Sequence, residues 1–149
     1  MKKILLMMIF SFVISISVAN ANYYENDQNY KFIMYDGVNG TEVYLNLRSI
    51  GVQEYNPPHY QISGQFVFVD DQNGKTGKIY IALRYNYYEK EVFRYNERSR
   101  TWYSAYKEGR DNRYSSASTS TIKFSNALFR AAYGMNFYNW GENLCQQKK

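Results

Sequence analysis

Apolar and polar residues alternate with a period of two along most of the chain, and this marks a series of short strands. Residues 30–35 (YKFIMY) read as the first strand, followed by the turn-rich Asp36-Gly37-Val38-Asn39-Gly40. In residues 42–47, Val43, Leu45 and Leu47 share one face, and Glu42, Tyr44 and Asn46 the other. Residues 49–55 continue as an irregular strand up to Pro57-Pro58, which cannot donate to a central ladder. Residues 59–69 alternate again, with Ile62, Gly64, Phe66 and Phe68 opposite Ser63, Gln65, Val67 and Val69. After the polar loop 70–77, residues 78–88 carry the clearest signal, an apolar face of Ile79, Ile81, Leu83, Tyr85 and Tyr87. Glu89-Lys90 then turns into residues 91–95, and residues 96–100 turn into 101–106. Consecutive short strands joined by short loops predict an antiparallel meander.

Near the end of the chain the period changes. Residues 115–121 (SSASTST) read as a loop offering helix N-caps, and 122–133 as a helix. Phe124, Leu128 and Ala131 or Ala132 recur at helical spacing, and Phe129 and Tyr133 form an i, i+4 pair. Gly134 suits the position after a helix, where a left-handed residue is wanted. The predicted fold is α+β: an antiparallel β-meander of five or six strands with one C-terminal helix packed on a face. Residues 30–141 form one such domain, between a flexible polar segment at 22–29 and a polar tail at 142–149.

The first 21 residues have a different logic. Lys2 and Lys3 precede an apolar stretch, and Ala19-Asn20-Ala21 supplies a small-x-small cleavage pattern, so they read as a secretory signal peptide cleaved after Ala21. The stretch is too short for a stable membrane span, and no later apolar run approaches ~20 residues. The expected product is 22–149, secreted or periplasmic. Cys145 alone cannot form an internal disulfide, and the cleavage region holds no cysteine to accept a lipid anchor.

Charge is unevenly distributed. Residues 22–75 hold three Lys/Arg against seven Asp/Glu, whereas 76–149 hold thirteen against six. A basic half can steer association with an anionic surface, and it can equally serve as a solubilising face. Export argues against nucleic acid as the partner. Aromatic residues are unusually abundant, with 17 Tyr, 9 Phe and 2 Trp in the whole chain. Tyr combines a large apolar body with a polar tip and suits both half-buried sheet faces and binding surfaces.

Little in the sequence points to an enzyme. His59, the single histidine, sits in Asn56-Pro57-Pro58-His59-Tyr60 with nothing to select a Ser or Cys as its nucleophile. Asp70-Asp71-Gln72-Asn73-Gly74 resembles a calcium loop superficially, but placing Gly74 at the sixth position puts Val69 at the first ligand and leaves no closing acid. Asn39-Gly40-Thr41 matches a glycosylation sequon, a chance match beside a bacterial-type signal. No cofactor, metal site or catalytic residue is expected. The functional candidate is residues 94–113: Arg94, Arg98, Arg100, Lys107, Arg110 and Arg113, interleaved with Tyr95, Trp102, Tyr103, Tyr106 and Tyr114. On neighbouring strands these could combine stacking rings with anion-binding guanidinium groups. The competing reading puts Trp102 and Tyr106 in the core and leaves the arginines solvating turns.

Several segments resemble the surface-adhesin protein E-like family of short exported bacterial domains. Val43-Tyr44-Leu45-Asn46 followed by Arg48-Ser49-Ile50 is similar to that family's tyrosine-rich Asp-x-x-Ser-Ile segment, with Asn46 in the Asp place. Phe93-Arg94-Tyr95 through Trp102-Tyr103-Ser104-Ala105-Tyr106 and Gly109 resembles its paired strands and glycine turn, and residues 124–133 its closing helix. Family members often carry a cysteine pair; this chain has Asn96 near the first place and Ala or Tyr near the second. The resemblance implies an antiparallel sheet with a C-terminal helix, and an adhesin-like role. The expected function is therefore an exported binding domain that recognises a host or envelope protein, or an anionic glycan. Arg94, Tyr95, Arg98, Arg100, Tyr103, Lys107, Arg110 and Arg113 would supply the contacts. The alternative is an envelope structural or assembly component acting through a partner protein or as a homodimer.

Overall fold

A computed structural model describes residues 23–109 and 116–138. The expected signal peptide and its cleavage site, Arg110, Arg113, Cys145 and the polar tail lie outside the described residues. The alternating segments form six strands: β1 (Tyr30–Asp36), β2 (Thr41–Asn56), β3 (His59–Asp70), β4 (Thr76–Asn86), β5 (Glu91–Asn96) and β6 (Thr101–Lys107). They pair in sequence order in one antiparallel sheet. Among the described residues one helix, α1 (Ser116–Tyr133), packs on it, which is the expected α+β meander.

One face of each strand supplies the main core. Val43, Leu45, Ile62, Phe66, Leu83, Tyr85 and Val92 are buried beneath Ile122, Leu128 and Phe129 of α1. Phe66 meets Phe124 at 4.5 Å between ring centroids, and Tyr85 meets Phe129 at 5.2 Å. Each such ring contributes roughly 1.5–3 kcal/mol by leaving water. Gly64 lets the helix approach: a Cβ there would lie 2.7 Å from Leu128 Cδ2 and 3.1 Å from Ile50 Cδ1.

Beyond α1 the chain folds back. Gly134, at φ 73°, donates its N–H to Arg130 O, and Phe137 and Tyr138 are then fully buried. The buried Asn126 side chain clasps Tyr138, donating from Nδ2 to its carbonyl at 3.1 Å and accepting from its N–H at 2.7 Å. From the sheet side, Lys90 Nζ donates to Phe137 O at 3.0 Å and lies 3.6 Å from the Tyr87 ring centroid.

Two expectations need correction. The helix starts at Ser116, not at residue 122. Once a helix is nucleated, each further residue adds a hydrogen bond at little entropic cost, so low-propensity Ser and Thr join the first turns. Leu47 is exposed instead of sharing the core with Val43 and Leu45. The β2–β3 register jumps between Asn46 and Gly51, and Ile50 packs against the core instead. Ser49 Oγ repairs the ladder there, accepting from Gln65 N at 2.7 Å and donating to Asn46 O at 2.6 Å.

Candidate binding surface

The sheet's second face divides into a covered part and an open part. Over β1–β3, Tyr24 stacks on Tyr30 at 4.1 Å and meets Tyr44 edge-on at 5.2 Å. These rings bury Tyr44, Val67 and Val69. Burial, and then the hydrogen bond to Glu42 Oε2, hold the Tyr44 hydroxyl well above its ordinary pKa.

Over β4–β6, among the described residues, no helix covers the same face. Antiparallel register places Arg84 opposite Phe93, and Tyr95 opposite Trp102. The Arg84 guanidinium lies 4.4 Å from the Trp102 ring centroid, and its Nε donates to Gln61 Oε1 at 2.9 Å. Tyr95 and Trp102 pack at 5.3 Å. Beside them Tyr80 is 62 % exposed, with its hydroxyl 2.6 Å from Ser63 Oγ, which also accepts from Gln53 Nε2 at 2.6 Å. The strands thus hold a guanidinium, three rings and a polar row in fixed positions. Such a surface can stack on a planar or apolar group while pairing with an anion.

The residues singled out in the sequence are distributed over this region and not gathered on one face. Tyr95 belongs to the open face. Arg94 pairs with Tyr103, and both point to the helix side, beyond the stretch that α1 covers. Arg98 and Arg100 sit in the β5–β6 turn, where Asn96 Oδ1 accepts from the Arg98 and Ser99 amides. Lys107 lies at the other end of that hairpin, about 20 Å away. It is bonded to Glu89 Oε2 at 2.5 Å, with Glu91 Oε2 at 3.7 Å. Hydrogen bonding and charge hold the Glu89 carboxyl below its ordinary pKa and Lys107 above its own. Lys107 is therefore largely neutralised as an anion site.

Arg94, Tyr95 and Tyr103 do come together in a cleft of about 490 Å³ that also includes Tyr80, Ile81, Ala82, Asn96 and Glu97. A smaller cleft of about 330 Å³ is lined by Glu54, His59, Tyr60, Arg84, Tyr85 and Phe93. Arg84 and Tyr80 lie upstream of the basic, aromatic run at 94–113 and do not stand out by composition. The apolar face of β4 carried their signal: if Ile81, Leu83 and Tyr85 face the core, Lys78, Tyr80 and Arg84 face away.

Among the described residues no three of His, Cys, Asp and Glu gather as a metal-holding group. Nor, among those residues, is any helix long and apolar enough to cross a membrane. Compared with protein-family models, curated proteins and solved structures, the chain matches none.

Proposed function

We propose that this chain is an exported, adhesin-like binding module for an anionic partner, engaged by the open β4–β6 face and the arginines of the β5–β6 hairpin. The observation that carries the reading is the Arg84–Trp102–Tyr95 arrangement on a sheet face that α1 leaves uncovered. Such a cluster supplies aromatic area and a weakly hydrated cation, the combination that anchors interfaces. The uneven charge along the chain supports it, as does the resemblance to exported adhesin-like domains. Export rests on the signal-like N-terminus.

The test is binding of the chain to immobilised heparin and to a set of acidic matrix proteins, at low and physiological salt. Arg84→Ser should weaken binding several-fold. Replacing Arg94, Arg98 and Arg100 together by Ser should also flatten its salt dependence, because exposed charges act through a screened field. Unchanged binding in both folded variants would refute this placement.

A further inference from the structure

The geometry points to an acceptor edge for an acidic, extended peptide along residues 76–82 of β4. This inference rests on the binding-module reading and names its ligand. β3 pairs with β4 along its whole length, without a bulge. β5 pairs with residues 83–86 alone, so among the described residues no strand is paired with the other edge of 76–82. That edge runs for about 23 Å. It offers the N–H and C=O groups of alternate residues, and a bare edge of this kind is a template for another strand.

The usual protections are weak here. The segment Thr76-Gly77-Lys78-Ile79-Tyr80-Ile81-Ala82 has no proline and one charge, Lys78. Ile79 is 39 % exposed, and a Cβ at Gly77 would meet nothing within 4 Å.

The surroundings select the occupant. The β5–β6 hairpin supplies the opposite wall of the cleft through Arg94, Tyr95, Asn96, Glu97 and Tyr103. An extended chain added to this edge would lie about 4.8 Å from β4. Charge favours an acidic chain at the hairpin end of the edge: Arg94 lines the cleft with Glu97, Arg98 and Arg100 stand in the adjoining turn and Lys78 in the edge itself, whereas Asp70 and Asp71 occupy the turn at its far end. An anionic glycan would answer the charges but not the backbone groups of the edge, which a peptide satisfies.

The experiment uses the chain with a peptide of alternating glutamate and valine and with the same peptide N-methylated at alternate residues. Heparin serves as a third ligand. Main-chain bonds supply most of the affinity in strand addition, so a generic acidic sequence is an adequate probe. The expected result is slowed amide exchange within 76–82 on adding the peptide, with at least tenfold weaker binding of the methylated form. Equal binding of both forms would overturn strand addition, leaving charge attraction alone. Heparin binding without peptide binding would overturn it and leave the module reading standing, whereas binding of neither would remove both. Protection of 76–82 that grows with protein concentration in the absence of peptide would assign the edge to a second copy and refute the proposal.

Discussion

Asn126→Ala tests whether the segment after α1 is fastened as the contacts indicate. In the native chain one side-chain amide satisfies both the N–H and the C=O of Tyr138, a residue with no exposed surface. Alanine removes both partners and leaves two backbone groups without water or protein to bond. Each unsatisfied buried group costs about 1–3 kcal/mol, so the loss should be roughly 2–5 kcal/mol after partial relaxation. Out of a typical total of about 5–15 kcal/mol that is large. Urea unfolding followed by tryptophan fluorescence should show it. With a slope of about 1–3 kcal/mol per molar, a 3 kcal/mol loss lowers the midpoint by about 1–3 M. Asn126→Asp refines the test, because an ionised carboxylate still accepts from the Tyr138 N–H but cannot donate to its carbonyl. Burial should raise the introduced carboxyl's pKa, so its protonated form is the better tolerated, and the variant should approach wild type as the pH falls through that raised value towards the unfolded value of about 4. A midpoint change equivalent to less than about 0.5 kcal/mol for Asn126→Ala would refute the clasp.

Glycine substitutions should separate the covered stretch of the helix-side face from its uncovered end. Gly64→Ala forces a methyl against Leu128, Ile50 and Leu45 and should cost about 1–3 kcal/mol in thermal unfolding, whereas Gly77→Ala meets open space and should be neutral or stabilise by up to about 1 kcal/mol. Alkaline pH should unfold the chain cooperatively. Burial raises Tyr85 well above its ordinary pKa of 10.0 and also raises Tyr44, Tyr138, Tyr106 and Tyr133. The native state therefore holds protons that the unfolded chain releases, so stability is intact below pH 10 and falls as pH rises beyond it. Tyrosinate absorbance and circular dichroism should change together in one step; tyrosinate appearing in full while the fold persists would contradict that assignment.

Much of the fold was legible because the sheet is a meander. Each strand pairs with its neighbour in sequence, so period-two alternation and turn residues were enough to place all six. The helix boundary was less legible. Ser and Thr in 116–121 carry loop propensity, and what recruits them into α1 is its propagation from residues fixed by packing, a tertiary cause. Leu47 failed for a related reason: its alternation was correct locally, but a register shift that no single strand announces turned it outward.

The candidate surface was legible in composition and not in placement. Arg94 and Tyr95 are adjacent in sequence and so must point to opposite faces, which splits any patch built on a run of residues in a strand. A binding face in a sheet is assembled across strands, and Arg84 reaches Trp102 from β4, eighteen residues earlier in the chain. Finding that partner needed the β4–β5 register, fixed by Leu83 and Tyr85 lying over Arg94 and Val92. The open β4 edge lay further from view, because alternation reports where side chains point and says nothing of which backbone groups lack a neighbour. A meander with strands of unequal length leaves such an edge wherever a short strand follows a long one, and here β5 has six residues beside the eleven of β4. Strand-length mismatch between sequence neighbours is thus the signal in the chain that marks this edge, and it sets the edge beside the hairpin that carries Arg94, Arg98 and Arg100.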